Sequence, residues 1–191
     1  MTAGPSGGRP SSSPEGPAAS GGPGRSHDNG PVIPRPRPAA EADGWVGRPV
    51  PLRDLVYADG SALSRFLDGA PEHAAWSDFV AAHPGSLITS LLGVSELRRV
   101  AQLLGRPARD QADAATEQLE VVRFSDQSLR AASRVSGVLP PFVSLHLGAA
   151  LAHPDVHTVA TYDTELARVC VLHGLAVTSP GWPDRWWERV R

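Results

Sequence analysis

Residues 45–191 alternate between short apolar runs and longer stretches whose apolar residues recur at every third or fourth position. The apolar runs predict buried strands, because strands of a parallel sheet read as nearly continuous hydrophobic segments. The stretches between them have the period of amphipathic helices. The predicted strands are 55–59, 86–89, 120–124, 157–162 and 175–178, and the predicted helices are 62–67, 72–82, 91–104, 106–118, 126–135, 143–152 and 164–172. Strands that alternate with helices indicate βαβ units and a largely parallel sheet.

Residues 1–44 have a different composition. They contain 9 Gly and 9 Pro, and their only bulky aliphatic residues are Val32 and Ile33. Such a segment buries too little apolar surface to offset the entropy of ordering it. We therefore predict a disordered Pro/Gly/Ser-rich tail over 1–44, followed by one domain over 45–191.

Charge and cysteine content exclude several classes of protein. The formal net charge is −2, which is not the basic signature of a protein that holds nucleic acid by charge alone. Cys170 is the only cysteine, so neither an intrachain disulfide nor a cysteine metal cluster is possible. No run of 18 apolar residues predicts a membrane span, and the N-terminus lacks the apolar region of a signal peptide. The expected location is the cytoplasm.

Two aspartates stand where a predicted strand gives way to a predicted helix. Asp59 follows the first strand, and Asp163 follows the fourth. Ligands of open α/β sheets bind outside the carboxyl ends of the strands, so both carboxylates are expected at one crevice. Clustered carboxylates repel one another unless a cation or a proton lies between them. The usual cation in such a cluster is Mg²⁺ or Mn²⁺, and the usual reaction is phosphodiester hydrolysis. The alternative is that each aspartate merely caps a helix, with Ser61 as a further candidate N-cap of the first one.

Three further features leave alternatives open. Glu96 shares a helix face with Val100 and Leu103, so it is either a third member of the crevice or a surface glutamate paired with an arginine. His146 is predicted to be a packed or hydrogen-bonded histidine at the edge of the core. The tryptophans near the C-terminus, Trp182, Trp186 and Trp187, are expected either to pack onto the domain or to form part of a homodimer or other protein-binding surface.

Five short motifs in a fixed order carry a family resemblance. They are Val56-Tyr57-Ala58-Asp59-Gly60-Ser61-Ala62-Leu63, Ser95-Glu96-Leu97-Arg98-Arg99, Ser144-Leu145-His146-Leu147-Gly148-Ala149-Ala150, Ala160-Thr161-Tyr162-Asp163 and Leu172-His173-Gly174-Leu175-Ala176-Val177. Together they resemble PIN-domain proteins, in particular the VapC-type toxins of bacterial toxin–antitoxin pairs. The resemblance covers about residues 54–180.

This resemblance implies a three-layer α/β/α fold with a mostly parallel central sheet. It also implies a Mg²⁺- or Mn²⁺-dependent ribonuclease that is silenced by a cognate antitoxin. Asp59, Glu96 and Asp163 take the places of three acids of the family. Asp59 and Asp163 would be direct metal ligands, and Glu96 would orient or deprotonate the attacking water or help to hold a second ion.

The chain departs from the family pattern at one acid. The family usually has an aspartate three residues before the histidine that His146 matches, and Val143 occupies that position here. Two hypotheses follow: an active metal-dependent endoribonuclease, or a degenerate PIN domain that binds RNA or an antitoxin with little nuclease activity. A third possibility is an α/β domain whose aspartates only cap helices.

Overall fold

The computed structural model describes residues 53–189, so the predicted disordered tail over 1–44 lies outside the described residues. Five strands form one sheet: β1 Leu55–Ala58, β2 Leu87–Ser90, β3 Glu120–Val122, β4 Val156–Ala160 and β5 Ala176–Thr178. The helices are α1 Gly60–Leu63, α2 His73–Ala82, α3 Leu91–Leu104, α4 Arg106–Glu117, α5 Asp126–Val135, α6 Pro141–Ala152 and α7 Thr164–Leu172, with 3₁₀ turns at Ser64–Phe66 and Trp186–Glu188.

All four strand pairings are parallel, and the strand order is β3-β2-β1-β4-β5. The chain runs outward from β1 to β3 on one side, then returns to add β4 and β5 on the other. The order therefore reverses between β1 and β4. Such a switch point opens a crevice outside the carboxyl ends of the two strands, and this places the candidate site.

Alternation along β1 divides the core into two layers. Leu55 and Tyr57 pack on the side of α5, α6 and α7, whereas Val56 and Ala58 pack on the side of α1, α3 and α4. Every residue of β1 and β2 is buried, as expected for strands covered by helices on both faces. The three-layer α/β/α fold with a parallel sheet is thus confirmed.

Several element boundaries differ from the sequence prediction. The first helix begins at Gly60 and ends as an α-helix at Leu63, and its N-cap is Asp59 rather than Ser61. The fourth strand occupies Val156–Ala160 and ends two residues earlier than predicted, where the Thr161 hydroxyl donates to Asp59 and the Tyr162 amide donates to Ser61 of α1. Within residues 53–189, no helix combines the length and the apolarity needed to cross a membrane.

Candidate active site

Asp59 lies at the end of β1 and is only 4% exposed. Its Oδ1 accepts hydrogen bonds from the Ser61 hydroxyl at 2.7 Å and from the Ala62 amide at 2.8 Å. Its Oδ2 accepts a hydrogen bond from the Thr161 hydroxyl at 2.7 Å. Asp59 therefore does cap α1, as the alternative reading expected, but it also has a partner from the end of β4.

The charge of Asp59 is poorly compensated. Burial raises the pKa of its carboxyl above the usual value, and the proximity of His146 and the three hydrogen bonds offset this only in part. None of the ion pairs formed between residues 53 and 189 includes Asp59. A buried carboxylate held only by neutral donors favours either a proton or a cation beside it.

Asp163 lies at the end of the loop that follows β4 and caps α7. Its Oδ1 accepts a hydrogen bond from the Leu166 amide at 2.8 Å. Its own amide donates to the Thr161 hydroxyl oxygen at 3.0 Å, and the same hydroxyl donates to Asp59. Thr161 thus joins the two aspartates.

Glu96 comes from α3 and faces the same crevice. Its Oε2 lies 2.8 Å from Nε2 of His146, and its side chain is 36% exposed. It packs so tightly over Gly60 that a Cβ at position 60 would collide with it. Its neighbour Arg98 pairs instead with Asp113 at 3.1 Å. The structure therefore favours the site interpretation of Glu96 over a surface pair with arginine.

His146 connects Glu96 to the buried sheet. It is 3% exposed, and its Nδ1 lies 2.9 Å from the Tyr57 hydroxyl, which donates to Ser90 Oγ at 2.9 Å. This confirms a hydrogen-bonded histidine at the core edge. Neither Tyr57 nor Ser90 was predicted as a partner of His146; the available signals were the position of Tyr57 on β1 and of Ser90 at the N-cap of α3.

The predicted acids converge on one pocket of about 270 Å³ at the switch point between β1 and β4. Val143 forms part of its wall and also packs against the core. The lining residues are Asp59, Gly60, Ser61, Ser64, Glu96, Val100, Val143, His146, Asp163 and Leu166. Hereafter this is the acid pocket.

The oxygen donors of the acid pocket suit a hard divalent cation. A carboxylate oxygen accepts two hydrogen bonds, so Asp59 Oδ1 is fully used whereas its Oδ2 keeps one acceptor position. Asp163 accepts one bond through Oδ1. However, no three His, Cys, Asp or Glu side chains within 53–189 are grouped closely enough to hold a metal ion. An ion held here would therefore have fewer than three ligands from these side chains and would keep much of its water, as Mg²⁺ commonly does, in place of an all-protein cage.

The C-terminal tryptophans differ in their exposure. Trp186 and Trp187 are buried and pack with Ala167 of α7, so they belong to the domain. Trp182 is 36% exposed. Its ring packs edge-to-face on Tyr162, the residue before Asp163, with ring centroids 5.4 Å apart.

Comparison with known proteins agrees with this fold. The PIN-domain family model matches residues 56–172. FitAcB from Neisseria gonorrhoeae has a TM-score of 0.52 at 18% identity, covering 66% of this chain and 98% of that chain. FitAB bound to an IR36 DNA fragment has a TM-score of 0.54 at 16% identity, covering 69% of this chain and 99% of that chain.

A third similar structure is VapC20 from Mycobacterium tuberculosis, described as a sarcin–ricin loop cleaving toxin. Its TM-score is 0.47 at 15% identity, and the match covers 60% of this chain and 94% of that chain. No curated protein sequence matches this chain. The likeness to FitAcB and FitAB shows a shared fold, and the family model spans more than half of the chain. The chain belongs to the PIN-domain family.

Proposed function

We propose that this protein is a Mg²⁺- or Mn²⁺-dependent endoribonuclease of the VapC toxin type, which hydrolyses RNA phosphodiester bonds in the cytoplasm. The observation that carries the proposal is the convergence of Asp59, Glu96 and Asp163 on one acid pocket at the switch point of a PIN fold. A cognate antitoxin and a homodimer are part of the proposal, and they rest on the resemblance to VapC-type toxins.

Each acid has a distinct role in this proposal. Asp59 and Asp163 would hold the divalent ion, because both keep oxygen acceptor capacity beyond their capping bonds. Thr161 positions both of them through a single hydroxyl. When bound, the ion would polarise a phosphoryl oxygen and lower the pKa of a coordinated water.

Glu96 would act on the attacking water. His146 holds its Oε2, which fixes the carboxylate and leaves Oε1 to accept a hydrogen bond from water in the pocket. A positioned carboxylate can orient a water and take its proton as the phosphodiester is attacked. The tight contact with Gly60 restricts Glu96 further.

The test is cleavage of labelled single-stranded RNA by the full chain with Mn²⁺, with Mg²⁺ and with chelator. We expect cleavage that chelator abolishes and that falls at least 100-fold in Asp59→Asn, Asp163→Asn and Glu96→Gln, since each removes a group from the reaction. Glu117→Gln is the matched control, because Glu117 is exposed at the end of α4 and far in sequence from the acid pocket. Cleavage that survives chelator, or that persists in all three variants, would contradict the proposal.

A second candidate is a degenerate PIN domain that binds RNA or an antitoxin without cleaving. Val143 in the pocket wall favours it, because this position supplies no carboxylate. In that case the wild type binds RNA or its antitoxin, and saturating Mn²⁺ produces no cleavage. The same assay therefore separates the two candidates.

A further inference from the structure

Two exposed aromatic side chains are linked to the lining of the acid pocket, one by its place in the chain and one through a ring contact. Among the large hydrophobic residues exposed within 53–189, Phe142 at 65% and Trp182 at 36% are the aromatic ones. Phe142 lies in the first turn of α6 and immediately precedes Val143 of the pocket wall. Trp182 follows β5, and its ring contacts Tyr162, which immediately precedes Asp163. Both are thus at the edge of the sheet that holds the acids.

Trp182 is held in place, and its polar atom already has a partner. Its indole N–H donates to Glu72 Oε1, and its backbone N–H donates to the Ser179 carbonyl at 2.9 Å. Its ring also packs edge-to-face with Trp186, with centroids 4.4 Å apart. The exposed part of Trp182 is therefore apolar ring surface, which does not need to move in order to accept a partner.

The residues that contact Trp182 are held in place by further contacts of their own. Glu72 forms an ion pair with Arg65 at 3.0 Å. The Arg65 guanidinium lies over the Tyr162 ring, 4.3 Å from its centroid. Tyr162 in turn donates its hydroxyl to the Pro180 carbonyl. These contacts fix Trp182 relative to the end of β4, where Asp163 lies.

Phe142 has fewer contacts and a fixed backbone. Pro140 is the N-cap of α6 and Pro141 is its first residue, so the backbone leading to Phe142 is restricted. Phe142 belongs to neither large core cluster, whereas its neighbour Val143 packs against one of them. The ring is therefore presented to solvent next to the pocket.

Charge on the protein alone offers little attraction for an RNA strand at this site. The pocket is lined by three carboxylates, and the whole chain carries a formal net charge of −2. A polyanion bound beside these acids gains from contacts that do not depend on charge. Stacking of bases on aromatic rings is such a contact, and it tolerates any sequence because every base has a π-face.

We propose that Phe142 and Trp182 are stacking platforms for unpaired bases of single-stranded RNA that flank the phosphodiester in the acid pocket. This inference rests on the proposed function for the identity of its substrate. It assigns single-stranded rather than duplex RNA, because bases within a duplex are stacked on one another and leave no face for a side chain.

The test measures binding of a fluorescently labelled eight-nucleotide RNA to the full chain by anisotropy, in chelator so that no cleavage occurs. We expect Trp182→Leu and Phe142→Leu each to weaken binding about tenfold, because leucine keeps apolar bulk but cannot stack. Trp182→Phe should lose threefold or less, since it keeps a ring. Leu172→Ala is the control: Leu172 is 83% exposed at the last residue of α7, away from the carboxyl ends of the strands.

A series of RNAs with one base removed at each position gives a second readout. If a base stacks on Trp182, removing that base should weaken wild-type binding and have little further effect in Trp182→Leu. A purely structural role for Trp182 would not produce this coupling. Thermal melts show whether Trp182→Leu keeps its fold, and Phe142→Leu tests the proposal independently because Phe142 is mostly exposed.

The outcomes separate the inference from the proposed function. Wild-type binding that is weakened by the leucine variants, with no Mn²⁺-dependent cleavage, supports the platforms and contradicts the nuclease. Cleavage with unchanged KM and unchanged RNA binding in both leucine variants would contradict the stacking role of Phe142 and Trp182 and would still support the proposed nuclease activity. Absence of RNA binding by the wild type overturns the platforms. Unchanged RNA binding with an altered oligomeric state in the variants also overturns them and assigns the surface to a protein contact.

Discussion

The Nε2 atom of His146 lies 2.8 Å from Oε2 of Glu96, and this pair joins α6 to α3 across the acid pocket. Val143 stands one helical turn before His146 on α6 and lines the same pocket. One face of α6 therefore brings a histidine to an acid and an aliphatic side chain to the wall of the same pocket. The chemistry of the pocket depends on how these two positions of α6 act together.

Val143→Asp should strengthen metal binding and nuclease activity. It adds a carboxylate to a pocket that already contains Asp59, Glu96 and Asp163, so we expect tighter Mn²⁺ binding and RNA cleavage raised at least about tenfold, or about 1.4 kcal/mol at the transition state. Without metal the variant should be less stable, because a fourth carboxylate repels the other three. Calorimetric Mn²⁺ titration and a cleavage time course measure these effects.

Val143→Asn is the matched control for that substitution. It occupies similar space without adding charge, so it should gain much less affinity and activity. If Val143→Asp changes neither Mn²⁺ affinity nor cleavage, the position does not contribute to a metal site.

Asp59→Asn should be neutral or stabilising in chelator at neutral pH. Asparagine caps helices as well as aspartate does, and the substitution removes a buried charge. Because burial raises the folded-state pKa of Asp59 above 3.8, the wild type loses stability as pH rises from 3.8 through that folded pKa. The melting temperature of Asp59→Asn relative to wild type should therefore increase over this range and then level off.

Mn²⁺ should raise the melting temperature of the wild type and not that of Asp59→Asn, because the ion binds the folded site. Asp59→Ala is the control for the capping role and should cost about 1 kcal/mol more than Asp59→Asn. A metal-free Asp59→Asn that is strongly destabilised at pH 7 would indicate that capping is the main role of Asp59.

Tyr57→Phe should destabilise the domain by about 1–3 kcal/mol. The lost hydroxyl leaves His146 Nδ1 and Ser90 Oγ buried without this partner. Urea unfolding measures the change. Tyr162→Phe is the control with the other tyrosine of the chain: its hydroxyl serves one carbonyl in a partly buried position and should cost less. Equal losses in the two variants would argue against a special role for the Tyr57–His146 contact.

Cys170 should not react with a thiol reagent in the folded protein at pH 8. The residue is fully buried on α7. Burial is the main cause that raises the pKa of its thiol, and the negative charges of Asp59 and Asp163 add to it, so the thiolate is rare. Labelling with a disulfide reagent should be slow in buffer and complete in urea. Rapid labelling of the native protein would show that α7 opens readily from the sheet.

The positions of the strands and of Asp59, Glu96 and Asp163 could be predicted because they depend on local pattern. A buried strand followed by an aspartate is visible within ten residues. The period of α3 places Glu96 on a face with Val100 and Leu103 but left it open between the crevice and the surface, and only the family resemblance assigned it to the site. The same local reasoning misplaced the N-cap of α1. Ser61 has the right chemistry for a cap, but its hydroxyl donates to Asp59 and it accepts from the Tyr162 amide, so it joins β1 to the loop after β4 instead.

The partners that fix the acids could not be predicted in the same way. Thr161 and Asp59 are 102 residues apart, and His146 and Tyr57 are 89 residues apart. Such contacts form only because the chain returns to place β4 beside β1. The periodicity of a single segment carries no information about that return. Threonine and tyrosine near strand ends are also common in sheets without sites, so residue type alone did not distinguish them.

The pairing of β1 with β4 has a consequence for synthesis of the chain on the ribosome. Asp59 leaves the ribosome about a hundred residues before Thr161 and Asp163, whose strand completes the pocket. Domains emerge N-terminal end first, and long-range parallel pairing waits for the later strand. A nascent chain therefore carries Asp59 and Glu96 without Asp163 until nearly the whole domain has been translated. Under the proposed function, a partly made chain is harmless to the RNA that surrounds it.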